Sequence, residues 1–171
     1  MDREYDIIVW GATGFTGRLV VDYMAEQHAN SNLKWAVGGR NPQKLQQMLA
    51  GRDVAMVTAD SGDEASIEAL VRKTRVILTT VGPYARYGSS LVAACAKHGT
   101  DYCDLTGEIH WMREMITAYQ EEARATGARI VHTCGFDSIP SDLGVYFLQK
   151  HMLSTHSVPA RQIKYRPRAF S

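Results

Sequence analysis

Gly11, Gly14 and Gly17, in the segment GATGFTG, are the residues best placed by type and spacing to hold a charged ligand on the backbone. A diphosphate needs several N–H donors at close range. Glycine lets the chain turn sharply and leaves no Cβ between backbone and ligand. Thr13 and Thr16 can add hydroxyl donors, and Phe15 belongs to the same loop. A helix starting here adds the positive end of its dipole to those donors. The ligand expected at residues 11–17 is therefore the pyrophosphate of a dinucleotide.

The choice of dinucleotide is read at the end of the next apolar run, Gly38-Gly39-Arg40. Sites selective for NAD place an acidic residue there for the ribose 2′-hydroxyl. Arg40 instead suits a 2′-phosphate, with Lys44 one helical turn further on as a second cation, and a carboxylate would repel that group. NADP is the expected cofactor, with Gly39 and Arg40 at its adenosine end. Asp60, after the third apolar run, can meet the adenine or cap the next helix. Thr80, Val81, Gly82, Pro83 and Tyr84, after the fourth, fall where the nicotinamide half should lie, and Gly82 would admit it closely.

Catalytic candidates are fewer. Tyr84 and Asp137 lie near the expected carboxyl ends of strands, as do Asp104 and Glu108, where a side chain can orient substrate, relay a proton or cap a helix. Tyr146 and Lys150 fit the spacing Y-x-x-x-K of short-chain dehydrogenases, in which the lysine lowers the tyrosine pKa for proton donation. Packing of Tyr146 in the core is the plainer alternative. His132 and Cys134 suggest an imidazole-activated thiolate, against which a buried, inert cysteine is the simpler expectation. The histidines and cysteines show no metal-ligand spacing, so no metal is expected.

The elements that must position these groups follow from periodicity. Ile7 to Trp10 is a short apolar run suited to a strand buried on both faces, and a helical pattern covers residues 15 to about 27. The unit repeats. A strand at 35–37 precedes a helix capped by Asn41 and opened by Pro42, and a strand at 54–57 precedes a helix with a capping-box pattern at Ser61 and Glu64. Further strands are expected at 76–78, 102–105 and 130–131, with helices ending at Gly99 and Gly127 and one at 141–150. The fold class predicted is α/β: a doubly wound, mainly parallel, six-stranded Rossmann sheet with helices on both faces.

Residues 1–150 would form this dinucleotide-binding domain. Residues 151–171, with Pro159, Pro167 and scattered basic residues, read as a linker or the start of a missing second domain for substrate or dimerisation. A homodimer would form through that domain. With 19 Lys+Arg against 18 Asp+Glu, no nucleic-acid partner is expected. No stretch approaches the roughly 18 apolar residues of a membrane span, and Met1-Asp2-Arg3-Glu4 lacks a signal region. Three cysteines without a pairing pattern suit a reducing compartment, so a cytoplasmic protein with a small-molecule substrate is expected.

Several segments together carry a family resemblance: GATGFTG at 11–17, Gly39-Arg40, VGPY at 81–84 with Gly88 beyond, YCDLTG at 102–107 with Glu108, and CGFDSIPSD at 134–142. Over residues 6–145 the chain resembles the N-terminal NADP-binding domain of saccharopine dehydrogenase-like oxidoreductases, including their trans-acting enoyl reductase branch. The resemblance implies hydride transfer between NADP(H) and a small-molecule or lipid-type substrate, with an activated alkene or an imine-type bond as the reacting group. It also implies a second α/β domain that closes over the nicotinamide. A sensor or scaffold that binds NADP without catalysis is the alternative of a different class.

Overall fold

The computed structural model describes residues 2–166, in which strands and helices alternate along the chain. The first half holds β1 (Tyr5–Trp10), α1 (Phe15–Gln27), β2 (Trp35–Gly39), α2 (Pro42–Leu49), β3 (Ala55–Thr58), α3 (Glu64–Val71) and β4 (Thr74–Thr79). The second holds α4 (Tyr84–Tyr87), α5 (Ser89–His98), β5 (Asp101–Cys103), α6 (Ile109–Thr126), β6 (Ile130–Val131) and α7 (Ile139–His156). All strand pairs are parallel, in the order β3-β2-β1-β4-β5-β6. The chain winds outward from β1 to β3, then returns to β4 on the other side of β1. At that reversal the connections diverge and leave a crevice at the carboxyl ends of β1 and β4.

Strand alternation divides the core into two layers. Ile8 and Trp10 of β1 face the layer that holds Ile67 and Leu70 of α3, Leu91 of α5 and Trp111 of α6. Val9, between them in sequence, faces the layer with Val21 and Met24 of α1 and Leu45 and Leu49 of α2. Each buried aliphatic side chain of this kind contributes about 2 kcal/mol. The uninterrupted apolar run is explained by this arrangement, since β1 is buried on both faces from Ile8 to Trp10.

Three features differ from expectation. Helix α3 is capped by Asp63, whose Oδ1 accepts from Ala65 N at 3.0 Å, and not by a Ser61–Glu64 box. The turn after the cis peptide Gly82–Pro83 continues as the short helix α4. Helix α7 runs past residue 150 to His156 and carries no buried residue, so core packing of Tyr146 is not found. It follows β6 at the sheet edge, and no described element covers it well enough to bury any of its residues. Residues 157–166 form no helix or strand, and Pro167 and the rest of the expected linker lie outside the described residues. Among the described residues, no helix is long and apolar enough to cross a membrane.

Candidate cofactor site

Each glycine of the loop has its own physical reason. Gly11 leaves β1 with φ of 88°, a left-handed conformation that favours glycine, and its N–H and that of Ala12 donate to Gly38 O at 3.0 and 3.2 Å. At Gly17 an added Cβ would stand 2.2 Å from Gly11 O and 2.9 Å from Ala12 Cα, so α1 rests directly on the turn. Gly14 meets no such demand. Its backbone is extended (φ −72°, ψ 169°) and a Cβ would find only Gly11 O at 3.4 Å, an ordinary contact. The loop therefore keeps an open position above the first turn of α1, where no side chain caps the helix and no acidic residue lies. These features fit a pyrophosphate held by backbone N–H groups.

The loop is one wall of an open cleft of about 270 Å³ at the carboxyl ends of β1, β2 and β4. Of the residues expected beside the cofactor, Gly11, Thr13, Gly14, Gly39, Arg40, Thr80, Val81 and Gly82 meet on this cleft. Arg40 is exposed and makes no ion pair with another described residue, so its guanidinium is free to take a phosphate. Lys44 lines an adjoining pocket with Thr13 and Arg18, its backbone N–H bound to Asn41 Oδ1 at 2.9 Å. Phe15, Thr16 and Gly17 continue from the loop into α1, with the Phe15 side chain exposed and Gly17 buried. Asp60 uses Oδ1 to accept from Gly62 N at 3.0 Å, which makes it a turn-former beside the site.

Pro83 and Tyr84 lie behind the cleft and do not line it. The buried Tyr84 hydroxyl donates to Thr79 O at 3.2 Å and accepts from Leu105 N at 3.4 Å, and its ring packs against Trp111. Burial pushes this phenol up to about 12. As the hydroxyl sits in the core, the geometry gives Tyr84 a part in shaping the loop and no path to the cleft as a proton donor. Three residues not expected at the cofactor also line the cleft: Trp10, Ser61 and Tyr87. Trp10 stands opposite Gly38 in the parallel register, and a Cβ on Gly38 would strike its ring at 2.8 Å.

The rim beyond β5 is fastened by Asp104. Its Oδ2 accepts from Tyr102 OH at 2.8 Å and pairs with His132 Nδ1 at 2.7 Å, while Oδ1 accepts from Thr106 N and Thr133 N at 3.1 and 3.0 Å. Burial alone would raise this carboxyl, but the hydrogen bonds from His132, the two backbone groups and Tyr102 outweigh it and hold it below its ordinary value. A depressed folded value means that the stabilisation is fully present above the unfolded carboxyl value of about 4 and is lost as pH falls through the lower folded value. In acid titrations of the melting temperature, Asp104→Asn should therefore show a shallower loss than wild type below that point. Parallel curves would contradict it.

With His132 committed to Asp104, no imidazole activates Cys134. Cys134 is exposed rather than buried as expected; its Sγ donates to Val131 O at 3.5 Å, and partial desolvation followed by the Asp104 charge raises the thiol. Asp137 is exposed on the turn before α7. Tyr146 is 64% exposed on α7 and Lys150 is exposed one turn on, and neither lines the cleft. The short-chain dehydrogenase arrangement, in which a tyrosine and lysine meet beside the nicotinamide, is not assembled.

Fold and cleft together define a Rossmann domain with a cation, Arg40, on the cleft just after β2. Within that class the chain belongs to the saccharopine dehydrogenase NADP-binding domain family, which it matches over residues 7–131. A trans-acting enoyl reductase of Mycobacterium tuberculosis is 48% identical over 154 residues, covering 87% of this chain and 36% of the relative. That of Mycobacterium leprae is 44% identical over 156 residues, with shares of 88% and 37%. The chain thus spans little more than a third of the length of these curated relatives. The fold is shared with saccharopine dehydrogenase (L-Glu forming) of Saccharomyces cerevisiae at a TM-score of 0.69 and 19% identity, over 90% of this chain and 32% of that one. It is also shared with the triphenylmethane reductase of Citrobacter sp., solved with NADP(H), at 0.57 and 18%, over 85% and 55%.

Proposed function

We propose that this domain binds NADPH for an oxidoreductase that reduces an activated alkene in a lipid-type acyl substrate. The cleft carries the reading, because Arg40 after β2, the glycine loop after β1 and Gly82 after β4 line one groove across three neighbouring strands. When bound, the cofactor supplies the hydride. The chain's own residues would bind and orient it: residues 11–17 hold the pyrophosphate, Arg40 with Lys44 the 2′-phosphate, and Val81 and Gly82 the nicotinamide end. The names of the mycobacterial relatives support an enoyl group as the acceptor. Three free cysteines support a reducing, cytoplasmic setting.

The test is parallel calorimetric titration with NADPH and NADH at one ionic strength. Tight NADPH binding with weak NADH binding is expected. Arg40→Asp should weaken NADPH by about 2 kcal/mol, roughly thirtyfold, and NADH much less, since only the phosphate contact is lost. An unchanged preference would remove Arg40 from the site. For the substrate, loss of NADPH absorbance on adding an α,β-unsaturated acyl thioester is the expected signal, and its absence with the corresponding imine as active substrate would replace the alkene.

A further inference from the structure

Helix α4 borders the cleft through Tyr87, and its own sequence cannot start it. Its N-cap residue is Pro83, which has no side-chain oxygen and makes no capping bond. The cap comes from a residue 24 positions beyond Tyr84: Glu108 Oε1 accepts from Tyr84 N at 2.6 Å, and Oε2 accepts from Ala85 N at 2.9 Å. A carboxylate that binds two successive backbone donors holds a helix start in one orientation, and charge assistance makes both bonds stronger than neutral ones. Glu108 is itself the N-cap of α6, yet its side chain makes no capping bond there. Its carboxylate serves α4 instead.

The anchor behind this carboxylate is rigid. Glu108 N donates to Thr106 Oγ1 at 3.0 Å, and Thr106 N donates to the buried Asp104 carboxylate. On the other side, α4 presents Tyr87 to the cleft, where it lies with Val81 and Gly82, while Tyr84 is fixed in the core. A fixed base, a two-point clamp and a cleft-facing segment therefore stand in series.

We propose that Glu108 is a positioning residue for the nicotinamide half of the cofactor, holding residues 81–87 in the conformation that receives it. This rests on the proposed NADPH site. Glu108 touches the loop and not the ligand, and it lies at the opposite end of the cleft from Arg40. Its removal should therefore affect the two halves of the cofactor unequally.

The experiment titrates wild type, Glu108→Gln and Glu108→Ala with NADPH and with adenosine 2′,5′-bisphosphate, which carries the 2′-phosphate but no nicotinamide. NADPH affinity should fall about tenfold in Glu108→Ala and by an intermediate factor in Glu108→Gln, which keeps one acceptor oxygen. The bisphosphate should bind all three alike. Equal losses for both ligands would mean general damage to the fold and would overturn the inference, as would unchanged NADPH binding in Glu108→Ala. Failure of wild type to bind even the bisphosphate would instead bring down the cofactor site itself, and Glu108's role with it.

Discussion

Gly14→Val is expected to leave the domain folded while NADPH binding falls by at least about a hundredfold, some 3 kcal/mol. The separation follows from the local geometry. The Gly14 backbone is extended, a conformation open to any residue, and the nearest atom to an added Cβ is Gly11 O at 3.4 Å. Valine is a poorer N-cap than glycine, which costs about 1 kcal/mol and a few degrees of melting temperature. Its branched methyl groups, however, would occupy the open position above the uncapped first turn of α1, where the pyrophosphate must approach the N–H groups. Calorimetry with NADPH beside a thermal melt reads both effects. A valine variant that bound NADPH within a few fold of wild type would place the pyrophosphate elsewhere.

The same contrast explains which parts of this molecule can be read from its residues. The strands and α1 are legible because their signals are local: a short apolar run, a glycine turn and a helical period lie within residues 7–27. Arg40 is legible because the end of β2 has a fixed relation to the glycine loop in this topology. Tyr87 is harder, because it is the pairing of β1 with β4 that brings the segment after β4 beside the glycine loop. The clamp from Glu108 to α4 spans 24 residues and leaves no periodic trace. Ser61 and Asp63 are both good cap residues two positions apart, and only the course of the backbone decides between them. Helix α7 shows a different limit. Its apolar residues resemble a core face, but Tyr146 and Phe147 are 64% and 74% exposed, since burial depends on what packs against a helix and not on the helix alone.

Gly17→Ala sets two physical effects against each other, and the sign of the result decides between them. Gly17 lies inside α1, where alanine is favoured over glycine by about 1 kcal/mol through helix propensity alone. Against this stands a Cβ placed 2.2 Å from Gly11 O and 2.9 Å from Ala12 Cα, both backbone atoms that no side-chain rotation can move. Gly11 O is also held in place, accepting from Gly14 N at 3.0 Å and from Thr80 Oγ1 at 3.3 Å. Relief would require α1 to lift off the turn, disturbing the layer in which Val21 and Met24 pack against Val9. Overpacking of this kind costs about 3 kcal/mol or more and outweighs the propensity gain. The expected net destabilisation is about 2 kcal/mol or more, a fall of roughly 6 °C for a domain of this size. NADPH binding should weaken in parallel, because the N–H groups of the first turn move with the helix. A melting temperature equal to or above that of wild type would show that α1 does not rest on the turn as closely as these distances require.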